Sequence, residues 1–528
     1  MLILLFLVSI LFNVTGLRWA LPSESRSHFY PQSMEWYEIS KGNGRLYMIS
    51  PYEPYHPDES FLLDAMSNMN PGNLDFNPHF FNYPSLSIYL TGALMKVGEI
   101  VGYINIVNSK EFYIAHPEQM ARIYLLGRFL AAFMSAMTVL WLYLTAKVMF
   151  DLPTGFFSAL SLAIMPLWVR NSHFMLVNVP SAMWMTGAAL LAVIAIKHDS
   201  LKALLLSAFL AGLAASTKYP AGFIILLTLF AWLKRYGLKK ESFNLAFTLV
   251  GVSIVGFVGG TPYMLISPEE FLQGLLFEGG TKLGIPSLPY LLSLLTVSQG
   301  TLLCLLTVSG LVIAIAKWRT WQYQFVLLWV MASMVQRVIS DADLARYLIP
   351  ALPALAVCAG IGINAIREQV VMALKLPNRS ALGWGVGLLL LMPTIGYSVD
   401  MVRLMLGDDI RTHAASWLAE HVPPNQVVGI YDNIRYDGIP IDAESYQLIN
   451  LNELDVPASP PVIVFTSETE KYWNVDLPSS YTGKTFSQRP SSIWTWPIQE
   501  RPHDWAYTFI DLYIYQDPNR ELGVGSRE

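Results

Sequence analysis

Charge is scarce in this chain. Only 14% of its 528 residues are Asp, Glu, Lys or Arg, where soluble chains carry about a quarter. With 53% hydrophobic residues and a mean hydropathy of +0.41, a pair of soluble domains is excluded and a membrane protein is indicated. The net charge of −5 offers nothing that points to nucleic acid. Cysteine is nearly absent: Cys304 and Cys358 lie in separate apolar runs, form no metal-ligand pattern, and read as small buried hydrophobes. No basic region precedes the first apolar run, as a cleaved signal peptide normally requires, so residues 1–20 read as a first span, with a cleaved signal as the alternative. Internal repeats and low-complexity segments are also missing.

Aromatic residues are plentiful, at 13%, and many Trp and Tyr stand near the ends of apolar runs, where interfacial belts form. After the first span comes a polar loop rich in Pro, Tyr, Asn and Ser over 21–83. Residues 84–105 are only mildly apolar and contain Lys96 and Glu99, while Leu86, Leu90, Leu94, Val97 and Val101 form a helical stripe. That pattern suits a helix lying in the membrane interface. Spans follow near 122–149, 155–171, 180–197, 203–217, 220–233, 243–260, 297–316, 321–338, 347–365 and 382–400, which with the first makes about eleven. If 84–105 lies flat, one set of short loops collects Lys147, Lys197, Lys202, Lys234, Arg235, Lys239, Lys240, Lys317, Arg319, Arg367, Lys375 and Arg379, and the other holds chiefly Lys218, Lys282 and Arg346. The positive-inside rule then puts the first loop (21–121) and the tail (401–528) outside the cytoplasm. In the tail, Asp409–Glu420 reads as a helix, Pro423-Pro424-Asn425 as a turn, and Val427–Tyr431, Val462–Thr466 and Tyr507–Tyr515 as strands of a small α/β domain.

Four stretches hold groups suited to chemistry. His56-Pro57-Asp58-Glu59 sets two carboxylates behind a proline, which serves either a helix start or a general base. The stretch from Arg170 to Pro180 contains His173, a hydrogen-bonded structural group or a site residue, and Asn178. Lys218, in Ser216-Thr217-Lys218-Tyr219-Pro220, either snorkels to the interface or serves a function. Arg346 and Tyr347 open a span on the same side, as do Arg122 and Arg128. Their guanidinium groups suit a lipid phosphate or a structural acid. An acid, a lysine and several arginines on one face of a membrane suit a reaction on a phosphate-linked lipid.

The chain resembles the polytopic GT-C glycosyltransferases, in particular the branch holding the dolichyl-phosphate-mannose–protein mannosyltransferases and the lipid A aminoarabinose transferases. The resemblance rests on His56-Pro57-Asp58-Glu59, on Asn82-Tyr83-Pro84-Ser85-Leu86 opening a juxtamembrane helix, and on Thr217-Lys218-Tyr219 and Thr261-Pro262-Tyr263. Arg346-Tyr347-Leu348-Ile349-Pro350 and Asp409-Ile410-Arg411 with Ala414-Ala415-Ser416-Trp417-Leu418 complete it. It implies a GT-C module over 1–400, with an extracytoplasmic α/β domain over 401–528, in a multi-pass protein of the cell membrane. It implies an inverting transfer from a polyprenyl-phosphate sugar to a hydroxyl of a protein, glycan or lipid acceptor. Asp58 would be the base, with Glu59 beside it. Lys218, Arg346, Arg128 and Tyr347 would hold the donor phosphate, and His56, His173, Asn178 and Tyr83 would line the acceptor side. No cofactor is expected, since the lipid-linked sugar is a substrate. Some relatives carry an acid where Asn178 stands, so no metal is expected either. Two other readings are a transporter or flippase of lipid-linked sugars, and an inactive scaffold of the same fold. The absence of repeats and the collection of ionisable groups at the rims weigh against transport.

Overall fold

The computed structural model describes residues 1–30, 51–280, 284, 286–340, 342–374, 379–431, 438–442, 444–451, 460–472, 475, 477, 479–498 and 502–518. The chain is mostly helical, with a small sheet near its C-terminal end. Helix α1 (Leu2–Val14) packs against the long α4 (Pro117–Met149), and its buried Asn13 donates to Ser9 on its own turn and to Ser135 on α4, at 3.1 and 2.8 Å. Between them come α2 (Pro57–Ser67) and α3 (Leu86–Ile100). At 15 residues and about 1.5 Å per residue, α3 is shorter than a bilayer core of about 30 Å. Its Lys96 and Glu99 pair with each other at 2.6 Å.

Apart from four helices of six residues or fewer among the described residues, the remaining helices are α5 (Leu152–Ile164), α6 (Pro166–Ser172), α7 (Asn178–His198), α8 (Leu201–Ala215), α9 (Ile225–Tyr236) and α10 (Phe243–Gly260), then α11 (Pro268–Gly280), α12 (Leu288–Gln299), α13 (Thr301–Ala316), α14 (Trp321–Ile339), α15 (Leu352–Leu374), α16 (Arg379–Leu404) and α17 (Ile410–His421). Among the described residues, five helices are long and apolar enough to cross a membrane: α4, α7, α10, α15 and α16, the third and fourth extended by short preceding turns. Counting two bent pairs gives up to seven: α5 with α6, bent by 59°, and α12 with α13, bent by 116°. Every expected span has a helix in its place, but hydropathy does not register the bends. Pro166 opens α6 after Met165 leaves helical geometry, and Gly300, at φ +80°, turns the chain between α12 and α13. The expected span at 220–233 starts as a 3-10 turn, Tyr219–Ile224.

Helices approach closely where glycines meet, as is common in membrane bundles. A Cβ on Gly310 of α13 would overlap the carbonyl oxygen of Cys358 on α15, and one on Gly362 would overlap that of Leu306.

The tail sheet is ordered β2-β1-β3-β5-β4. The strands are β1 (Val427–Ile430), β2 (Gln447–Asn450), β3 (Val462–Thr466), β4 (Thr482–Ser487) and β5 (Asp511–Gln516). The first three run parallel, and β5 is antiparallel to both of its neighbours, β3 and β4. Asp409 caps α17 by accepting from the Arg411 N–H at 2.8 Å. Expectation and structure differ in two ways. Strands β2 and β4 carry too little apolar alternation to announce themselves. Residues 507–510 form a turn, and β5 begins only at Asp511. That turn belongs to a segment, with Trp505 and Phe509, that packs into the helical core while β5 serves the sheet core.

The close glycine contact yields a test. Gly310→Val should destabilise the detergent-solubilised protein by on the order of 1–3 kcal/mol, read as a lowered melting temperature. An unchanged melting temperature would mean the α13–α15 approach is looser than described.

Candidate active site

Residues distant in sequence meet at the start of α2. Pro57, with fixed φ and no N–H to leave unpaired, opens the helix, and Asp58 and Glu59 fill its first turn, where carboxylates are favoured. Neighbouring helix positions face different ways, and each carboxylate has its own arginine. Asp58 Oδ2 lies 3.2 Å from Arg346 Nε, and Arg346 Nη2 reaches Asp58 Oδ1 at 3.5 Å. Glu59 accepts from Arg128 Nε at 2.9 Å and Nη2 at 2.7 Å, and from the Met175 N–H at 2.8 Å. The remaining Arg128 Nη1 donates to the carbonyls of Leu17 and Trp19 at 2.9 and 2.7 Å. Side-chain exposure in this second pair is 1% for Arg128 and 0% for Glu59.

Arg128 therefore differs from the expectation of a phosphate ligand: all its nitrogens are occupied in a clasp that ties α2 and the end of α1 to α4. Arg346 stands otherwise. It is buried, its Nε and Nη2 face Asp58, and its Nη1 has no hydrogen-bond partner among the described residues. Tyr83 and Asp504 also contribute to its electrostatic surroundings. Next to Arg346, Tyr347 presents its ring to Lys218 Nζ at 5.0 Å, and Lys218 donates to Asn178 Oδ1. Six of the ten expected site residues thus form one neighbourhood: Asp58, Arg346, Tyr347, Lys218, Asn178 and Tyr83.

His173 lies apart from it. Its Nδ1 faces the Val169 carbonyl and its Nε2 the Thr15 carbonyl, each at 2.8 Å, so it fastens α6 to the end of α1. His56 is buried between Phe174 and Tyr507, with ring centroids 4.8 and 5.2 Å away, and its Nδ1 has no partner among the described residues. Burial, then the charges of Arg170, Arg346 and Arg128, hold its imidazole well below its ordinary range.

Sequence reasoning did not single out Arg170 and Asp504. Asp504, in a 3-10 turn of the tail (His503–Trp505), accepts the backbone N–H of Ala345 at 2.9 Å and of Arg346 at 3.0 Å. Arg170 donates to the Asp504 carbonyl, and its Nε donates to Thr508 Oγ1 at 2.9 Å. Neither residue has a local signal, because Arg170 acts across more than 300 positions of chain and the Asp504 carboxylate across about 160.

A cleft of about 830 Å³ is bordered by Leu17, Trp19, Arg26, Tyr55, Arg122 and Asp409 among others, and none of the six residues of this neighbourhood lines it. Among the described residues no group of three His, Cys, Asp or Glu side chains is placed to hold a metal.

The state of His56 gives a pH prediction. Folded, it stays neutral; unfolded, it takes a proton below its ordinary value of 6.5. The unfolded state then binds more protons, so stability should fall as pH drops below that value. His56→Gln should flatten this part of a melting-temperature–pH profile, and a variant with the wild-type slope would place the titrating group elsewhere.

Comparison with known proteins gives one partial family match and several similar structures. A family model described as dolichyl-phosphate-mannose-protein mannosyltransferase matches residues 125–258, about a quarter of the chain. No curated protein matches the chain. The archaeal oligosaccharyltransferase AglB from Archaeoglobus fulgidus, solved with an inhibitory peptide and a dolichol-phosphate, is similar at 13% identity and TM-score 0.47, over 82% of this chain and 62% of its own. The present chain therefore spans about three fifths of that protein's length. ArnT from Cupriavidus metallidurans, bound to undecaprenyl phosphate, is similar at 14% identity and TM-score 0.46, over 97% of both chains. A protein O-mannosyltransferase complex from S. cerevisiae, bound to the sugar donor, is similar at 19% identity and TM-score 0.33, over 51% of this chain and 34% of that one. Of the branch that the short motifs resemble, the dolichyl-phosphate-mannose-protein mannosyltransferase family is matched over residues 125–258.

Proposed function

We propose that this chain is an inverting glycosyltransferase that moves a sugar from a polyprenyl-phosphate donor to an acceptor hydroxyl at the outer face of the cell membrane. The observation that carries this reading is the shared guanidinium of Arg346. Two of its nitrogens hold Asp58, and the third is buried without a partner among the described residues. A buried donor left open in this way suits a phosphate oxygen.

In the reaction Asp58 takes the proton of the acceptor hydroxyl as that oxygen attacks the anomeric carbon. The bond from that carbon to the phosphate oxygen breaks on the opposite side, and its electron pair leaves with the polyprenyl phosphate. Arg346 Nη1 and Lys218 stabilise the charge that gathers there. Tyr347 keeps Lys218 in place, and Tyr83, Asn178 and His56 form the surrounding wall. Glu59 and Arg128 support the loop and take no part in bond making. Mannose is the sugar favoured by the family match at 125–258, with a pentosyl donor as the other choice.

The proposal keeps eleven crossings: the five long helices, the two bent pairs, and α1, α8, α9 with its leading 3-10 turn, and α14. Residues 1–400 form the catalytic module and residues 401–528 an extracytoplasmic domain. A reporter fused after residue 400 should be active only outside the cytoplasm, and activity inside would invert the arrangement.

The function is tested with purified protein, a panel of radiolabelled polyprenyl-phosphate sugars and a panel of acceptors. Asp58→Asn should lose about 100-fold or more in the transfer rate of the folded fraction. Glu59→Gln should instead cost about 3–5 kcal/mol of stability by leaving Arg128 buried beside a neutral group. Equal transfer by wild type and Asp58→Asn would remove Asp58 as the base.

A further inference from the structure

Arg346 is fixed by more than its own side chain. Both carboxylate oxygens of Asp504 are in use, one on the N–H of Ala345 and one on the N–H of Arg346 itself. They hold the backbone of the residue whose guanidinium grips Asp58. Asp504 is fully buried and is in turn fastened: Arg170 takes its carbonyl oxygen and the Thr508 hydroxyl, and lies 5.2 Å over the Trp505 ring. Within the same segment, the Tyr507 ring packs against His56 at 5.2 Å. The tail thus reaches both the residue next to Pro57-Asp58 and the backbone of Arg346.

We propose that Asp504 is a positioning residue of the site: from the tail domain it sets the place of the Arg346 guanidinium, and so the affinity of the site for a lipid-linked phosphate. The inference rests on the function proposed above. Its physical basis is the pairing of two backbone N–H donors with two carboxylate oxygens. An amide in that place offers one oxygen to two donors and turns its NH₂ toward a backbone N–H, so Arg346 must shift. Small displacements of a group that contacts the reacting phosphate have large effects.

The test measures affinity of the full-length protein in detergent or nanodiscs for undecaprenyl phosphate, which requires no knowledge of the sugar or acceptor. Asp504→Asn should weaken it about tenfold. Thr508→Val, which removes one of the anchors of the segment and keeps the side-chain shape, should weaken it by a smaller factor and serves if Asp504→Asn does not fold. Arg489→Gln, which breaks the 2.7 Å tail ion pair with Asp511, should leave it unchanged. A purely structural role would lower the melting temperature without changing the affinity of the folded fraction. The sharper readout is a cycle with Arg346→Gln. If Asp504 acts through Arg346, Asp504→Asn should add nothing in that background. Additive losses, or wild-type affinity in a folded Asp504→Asn, would overturn the inference. Wild-type protein that binds no undecaprenyl phosphate would overturn the functional reading itself.

Discussion

Ionised groups shielded from water must be paired, and this one requirement explains how the site is assembled. Removing a single partner from a buried ion pair leaves an uncompensated charge that the interior tolerates poorly. Here the buried pairs are also the joints of the fold. Glu59 with Arg128 joins the first loop to α4 and, through two carbonyls, to the end of α1. Asp58 with Arg346 joins the same loop to the turn before α15, and Asp504 joins that turn to the tail. Separate pieces of chain converge because the charges on each are satisfied only by the others. A second set of joints lies farther out, where the Tyr55 ring is held between the guanidinium groups of Arg26 and Arg411, at 4.2 and 4.0 Å.

Much of the helical architecture was legible because long apolar runs fold as helices: each expected span holds a helix, though among the described residues only five to seven are long and apolar enough to cross a membrane. The bends at Pro166 and Gly300 and the 3-10 turn at Tyr219 were less legible, since hydropathy averages over them. In the tail, α17, β1 and β3 could be read from local patterns. Strands β2 and β4 could not: Gln447–Asn450 is very short, and Thr482–Ser487 is an exposed edge. The site was legible as an inventory and less so as a set of pairs. That Asp58 and Glu59 would face different ways followed from helix geometry, but which arginine each would meet is decided by tertiary packing. Arg128 was open to a lipid phosphate or a structural acid and is fully occupied by Glu59 and two carbonyls; His173 was open to a structural or a site role and fastens α6 to the end of α1. Asp504 could not have been found from its neighbours, because its partners lie about 160 residues away.

The pairing of Asp58 with Arg346 has a consequence for the proposed chemistry. In the proposed reaction one guanidinium would serve both ends of the transfer: Nε and Nη2 hold Asp58, and the unpartnered Nη1 would be the point of contact for the donor phosphate. A phosphate bound there would share the positive charge that now faces Asp58, and the charge gathering on it as the sugar left would strengthen that contact. Such sharing depends on where Arg346 stands, and its backbone N–H is held by Asp504. The partner of Lys218 at Asn178 fits the same logic, because a neutral amide orients the ammonium group without cancelling its charge, as a carboxylate in that place would.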